Sequence, residues 1–137
     1  MADLTLDHVG IQVREIGPTA KLLCTLFGYR QVTDPVVNTR HGVEIVFLEK
    51  PGSLSVKLFR NVAEASKQPP RLHHLAFYTD DLPTAIADLS SGGARVLNEP
   101  APGEAFDDEL VAFLFAGGLN IELVSTHKRR ARRDGTP

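Results

Sequence analysis

The chain has 137 residues, 42% of them apolar and 23% charged, which is enough to close one core without staples and too apolar for a disordered chain. A formal net charge of −2 hides five basic residues near the C-terminus, Lys128, Arg129, Arg130, Arg132 and Arg133; the body up to Thr126 carries ten basic against sixteen acidic side chains. Such a body repels nucleic acid, which is excluded as a partner.

No apolar run reaches the roughly 18 residues of a membrane span, and the N-terminus lacks the basic-then-apolar pattern of a signal peptide. The expectation is a cytoplasmic protein with no membrane partner. The single Cys24 rules out an internal disulfide and reads as small core filler.

Residues 6–13 alternate as a strand does, with Val9, Ile11 and Val13 on one face and His8, Gly10 and Gln12 on the other. A helix follows, opened by Pro18 and closed by Gly28, with Ala20, Leu23, Cys24 and Phe27 on its buried stripe. Residues 29–33, 43–48 and 54–59 read as strands, broken by Pro35 and by the turn at residues 50–53. The unit is βαβββ.

After a polar linker ending in Pro69-Pro70 the plan repeats. LDHVGIQV returns about 66 residues later as LHHLAFYT, VEIVFL as ELVAFL, and SVKLF as NIELV. Leu75 and Phe77 face one way and His74, Ala76 and Tyr78 the other. Pro83 opens a helix with Leu82, Ile86 and Leu89 on its buried stripe, Gly92-Gly93 closes it, and residues 95–97, 109–114 and 119–124 complete the strands. Residues 99–108 form the longest irregular stretch, of a length at which loops serve as lids. Residues 127–137 have no apolar partner in the sequence and read as a solvated, disordered tail.

The repeat predicts one α+β domain over residues 1–126. Its two βαβββ modules, about 6–60 and 72–125, form a cupped eight-stranded mixed sheet with the helices on the outer face. Each module then turns a polar face inward: His8, Gln12 and Lys57 from the first, His74, Tyr78, Asn120 and Glu122 from the second. Convergent polar groups in a concave surface mark a ligand site, with Gln12, Tyr78 and Asn120 placed to hydrogen-bond a substrate. Glu44 reads either as a base beside the cup or as an exposed side chain. His73 falls on the opposite strand face from His74 and reads as structural; His41 and His127 read as surface residues.

The ordered set of motifs, DHVGI and HHLAF opening the modules and NIELV closing the second, resembles the vicinal oxygen chelate (glyoxalase/bleomycin resistance/dioxygenase) superfamily. Within it the chain looks most like the methylmalonyl-CoA epimerase branch, through RHGVEIVFLEKPGSLSVKLF, HHLAFYTDDLPTAIADL and GGARVLNEPAPG. The resemblance implies a homodimer and a divalent metal ion (Co, Mn, Zn, Ni or Fe) held by His8, His74 and Glu122. The family's remaining ligand, a Glu or Gln, falls at Lys57, whose ammonium has no lone pair to donate.

Three outcomes follow from that substitution. The two imidazoles and one carboxylate suffice as a metal triad, or Lys57 supplies the positive charge in the ion's place, or the cup binds without chemistry. The activity implied is that of an epimerase or isomerase taking a proton from the carbon next to the carbonyl of a small acyl or carbonyl substrate. Lys57 or the metal then holds the enolate, with Glu122 as base and Glu44 in reserve. The alternatives are a non-catalytic drug- or metabolite-binding protein of the bleomycin-resistance type and an Fe(II) dioxygenase. Acidic residues in segment 103–109 disfavour the phosphates of coenzyme A, and no GxGxxG follows a strand to bind a redox nucleotide.

Overall fold

The structure is a computed structural model that describes residues 3–64 and 67–129. The first module runs β1 (Thr5–Gln12), α1 (Ile16–Phe27), β2 (Arg30–Gln31), β3 (Val36–Asn38), β4 (Val43–Glu49) and β5 (Ser55–Asn61). The second runs β6 (Arg71–Tyr78), α2 (Leu82–Ser91), β7 (Arg95–Val96), β8 (Ala101–Gly103), a single 3-10 turn (Glu104–Phe106), β9 (Glu109–Ala116) and β10 (Leu119–Val124).

All the strands form one sheet in the order β2-β4-β5-β1-β6-β10-β9-β7. The expected eight strands make this path, and two short ones were not foreseen: β3 pairs with β4 and β8 with β9. β3 follows Pro35, which reads as a break, and β8 contains Pro102 within the stretch that reads as irregular; proline is tolerated on edge strands because no ladder donor is needed there. Residues 99–108 are therefore no free lid, since β8 and the 3-10 turn bury Ala101, Ala105 and Phe106.

The modules meet at β1 and β6, which are antiparallel, with His8 opposite Ala76 and Gly10 opposite His74. β5 lies parallel to β1 and β10 parallel to β6, so the four central strands are two equivalent pairs. The register slips at two places. Asp7 is an extra residue between the pairs Leu6–Phe77 and His8–Ala76, and His73 is an extra residue between His74–Gly10 and Leu72–Ile11. Each bulge sits one residue before an inward histidine, so the duplication extends to the irregularities.

α1 packs Ala20, Leu23 and Cys24 against Val46, Leu48, Val56 and Leu58, and Gly28 ends it at φ 77° with its N–H on the Leu23 carbonyl. Phe27, expected on that buried stripe, is 54% exposed and is the last residue of the helix. α2 starts on Asp81, which accepts from the Thr84 N–H, and packs Leu82, Ala85 and Leu89 on Ala112, Leu114 and Leu123. A third cluster, including Phe47, Phe59, Phe106 and Val124, fills the space between the modules. No helix among the described residues is long and apolar enough to cross a membrane.

Candidate active site

The four strands that meet at the pseudo-twofold each deliver one buried polar side chain: His8 from β1, Lys57 from β5, His74 from β6 and Glu122 from β10, none more than 5% exposed. His8 Nε2 lies 3.0 Å and His74 Nε2 3.1 Å from Glu122 Oε1. Lys57 Nζ donates to both Glu122 oxygens, at 3.4 and 3.5 Å. Gly10 makes room for this convergence, because any Cβ there would overlap the His74 ring.

Each imidazole is gripped from behind by the residue at its bulge. Asp7 Oδ2 accepts from His8 Nδ1 at 2.6 Å, and the Nδ1 atoms of His73 and His74 are 2.8 Å apart, so one of those two rings carries the proton between them. Strict alternation places residues 7 and 73 on the far face. A bulge re-aims a side chain in just this way, and it is why Asp7 and His73 were missed; the signal in the sequence was that both precede repeat-equivalent histidines.

Asp7 is held in turn from the C-terminal segment. Arg129 Nη2 donates to Asp7 Oδ2 at 2.7 Å, with its guanidinium carbon 4.3 Å from the Phe47 ring centre and 5.5 Å from that of Phe106. His127 Nδ1 contacts Asp7 Oδ1 at 2.7 Å and its ring stacks on Tyr78 at 3.8 Å between centroids. The expectation of a solvated tail from His127 onward is thus corrected for residues 127–129; residues 130–137 lie outside the described residues. The guanidinium finds its apolar partners in aromatic faces remote in sequence.

The buried charges balance in pairs, Lys57 with Glu122 and Arg129 with Asp7. Burial alone would push the Glu122 carboxyl up, but Lys57 and the two imidazoles hold it well below its ordinary value. Burial and then Lys57 bring His74 down to about 4, against the pull of Glu122. Asp7 is pushed up by burial and brought down to about 2 by the His8 hydrogen bond, Arg129 and His127. His41 and His73 are lowered by burial and then by Lys57. At neutral pH the site therefore presents ionised carboxylates and a neutral His74.

A cavity of about 420 Å³ opens on this cluster. Gln12 and Asn120, expected at the cup, line it, and so do Lys57, His74 and Glu122. Gln12 Oε1 accepts from Arg71 at 2.8 and 3.2 Å, and Asn120 Nδ2 donates to the His73 carbonyl at 3.1 Å. Tyr78, also expected there, does not line it: its ring is covered by His127. Glu44 is not beside the cup either. It alternates onto the helix side of β4 and accepts from Arg60 Nε at 3.0 Å, leaving Glu122 the one carboxylate among the described residues lining the cavity. His41, read as a surface residue, lines the cavity from the β3–β4 turn with its ring 5.4 Å from Phe113.

The donor set fits a divalent cation. One ligand atom each from His8, His74 and Glu122 lie within 4.8 Å of one another. His74 Nε2 is buried without hydrogen-bond partner, since its approach to Glu122 lacks the alignment. Carboxylate support behind His8 is the usual outer shell of a metal-bound imidazole. Lys57 is the feature against the fit, since its ammonium would stand beside the ion.

Comparison with known proteins agrees with this architecture. The chain is 28% identical over 127 residues to an ethylmalonyl-CoA/methylmalonyl-CoA epimerase of Cereibacter sphaeroides, covering 87% of this chain and 93% of that protein. The fold superposes on methylmalonyl-CoA epimerase from Mycobacterium tuberculosis with a TM-score of 0.76 at 29% identity, covering 88% of this chain and 87% of that one. It superposes on a methylmalonyl-CoA epimerase in complex with methylmalonyl-CoA and NH4+ with a TM-score of 0.79 at 27% identity, covering 94% and 99% of the two chains. Residues 7–113 match the Glyoxalase/Bleomycin resistance protein/Dioxygenase superfamily, and the chain belongs to it.

Proposed function

We propose that the protein is an epimerase-type isomerase that removes a proton from the carbon next to a carbonyl of a small acyl or carbonyl substrate, with Lys57 as the charge that holds the enolate oxygen. The observation that carries this reading is the Lys57–Glu122 pair, an acid–base couple in contact on the floor of the cavity. One similar epimerase holds its substrate together with NH4+; Lys57 brings an ammonium to this cup on a tether.

The step is a proton transfer. Glu122 takes the α-proton, the C–H electron pair becomes the Cα–C π bond, and the carbonyl oxygen takes the negative charge beside the Lys57 ammonium. Glu122 returns that proton to the face it left; inversion takes a proton from a water on the opposite face of the carbon, and the hydroxide so formed is neutralised by the proton that Glu122 holds. In the free protein Glu122 is a weak base because Lys57 holds its carboxyl down. When the ammonium turns to the substrate oxygen that influence is withdrawn, and burial raises the carboxyl toward the range of a working base.

The test is exchange of the α-proton of 2-methyl-branched acyl thioesters in D2O, followed by NMR with chelator-treated protein. Deuterium incorporation at a rate above buffer supports the reading; exchange that starts only after Co²⁺ or Mn²⁺ is added assigns the charge to a metal, and binding without exchange at any pH from 6 to 9, with or without added metal, leaves a binding protein instead.

A second reading is favoured by the unpartnered His74 Nε2: His8, His74 and Glu122 hold a divalent ion. When bound, that ion would supply the Lewis acidity that stabilises the enolate oxygen. In that case Asp7 and His73 serve to orient the two ligating rings.

A further inference from the structure

The cavity's lining is poor in charge. Among the described residues that line it there is one cation, Lys57, and it already faces the one carboxylate, Glu122, at 3.4 Å. No arginine among the described residues lines it, and the Arg71 guanidinium that touches the lining is engaged by Gln12 Oε1. The remaining polar groups are carboxamides, such as Asn61 and Asn120, and imidazoles, which offer hydrogen bonds and no net charge. Phe59 and Phe113, from opposite modules, each pack against the His74 ring, at 5.7 and 5.8 Å between centroids, with the aliphatic Val43 and Val111 also on the wall.

A substrate whose reacting carbon carries a free carboxylate brings two negative charges into this space during reaction, one on the carboxylate and one on the enolate. Lys57 answers one of them. The other finds no counter-ion among the described residues of the lining, which disfavours it. A planar apolar substituent instead finds aromatic edges and faces and asks for no counter-charge.

Resting on the proton-abstraction reading above, we propose that the substrate carries an uncharged, planar apolar group on the carbon that loses its proton, in contrast to the methylmalonyl group named for the similar epimerases. The acyl class is therefore that of an α-aryl or α-vinyl carbonyl compound rather than a malonate half-ester. Lys57 is then free to serve the enolate oxygen alone.

The experiment uses two N-acetylcysteamine thioesters differing in one substituent, 2-phenylpropionyl and methylmalonyl, with full-length, chelator-treated protein. Binding is read from NMR titration of the histidine and phenylalanine side-chain signals, separately from α-proton exchange. The expected result is that the phenyl compound binds at least about 10-fold more tightly, as loss of an unpaired buried charge requires. Asn61→Lys, which adds a second cation at the half-buried end of β5, is expected to strengthen methylmalonyl binding and narrow that ratio. Phenyl binding without exchange, before and after addition of Co²⁺ or Mn²⁺, keeps the substrate class and removes the reaction. Methylmalonyl binding equal to or tighter than that of the phenyl compound, or no binding of the phenyl compound, overturns the inference.

Discussion

Gly10 lies directly opposite His74 across the β1–β6 pair, and the imidazole occupies the volume where a side chain at position 10 would begin. Gly10→Ala is expected to destabilise the protein by about 1–3 kcal/mol, the usual cost of overpacking a closed core. It also displaces the His74 ring from Glu122. The check is a double-mutant cycle in urea: His74→Ala made on the Gly10→Ala background costs less than on wild type, because the collision is already relieved. Strict additivity would place the two residues out of contact.

His74 is buried neutral, and its folded-state pKa near 4 lies below the ordinary 6.5. An unfolded chain therefore binds the proton first as pH falls, so the stability tied to this ring is complete above about 6.5 and is lost on descent toward 4. The loss is of order 3 kcal/mol. Urea melts of wild type and His74→Gln at pH 7, 5.5 and 4 should diverge in that window, with the variant showing the smaller decline. Parallel curves would contradict the assignment.

Asp7 behaves as a paired carboxylate. Its folded pKa of about 2 lies below the ordinary 3.8, so its contribution is present above pH 3.8 and lost as pH falls toward 2. Arg129→Met leaves that carboxylate buried without its cation and is expected to cost about 3–5 kcal/mol. Truncation after Thr126 should cost a similar amount, measured by chemical denaturation at pH 7. A fully stable truncated protein would mean that residues 127–129 do not hold Asp7 in solution.

Lys57→Met strands Glu122 in the same way, with an expected penalty of about 3–5 kcal/mol, whereas the double variant Lys57→Met, Glu122→Gln removes both charges and recovers most of it. Both should lose α-proton exchange by at least about 100-fold, the scale for removing a group that holds a developing oxyanion. A Lys57→Met protein that exchanges normally would assign the enolate charge elsewhere.

The duplication made the architecture legible. His8 with His74 and Lys57 with Glu122 occupy equivalent places in two copies of one pattern, and the central β1–β6 pairing brings them together as that equivalence requires. What could not be read from alternation is whatever breaks it. Asp7 and His73 reach the site through bulges, and β3 and β8 are short strands, one following Pro35 and the other containing Pro102. Arg129 looked like one member of a charge run, and only the fold reveals Phe47, Phe106 and Asp7 as its partners. Tyr78 has the inward phase that was expected, but His127 reaches it first.

The most direct test of Lys57 as the site's electrophile is to compare wild type and Lys57→Gln in D2O exchange, each stripped with chelator and then titrated with Co²⁺ or Mn²⁺, with bound metal measured on the same samples. The prediction is that stripped wild type exchanges the α-proton and takes up little metal, while Lys57→Gln is inactive when stripped and gains both metal and exchange on titration. Stripped wild type that is silent until metal is added, and then binds one ion per chain, would contradict it and assign the charge to the metal.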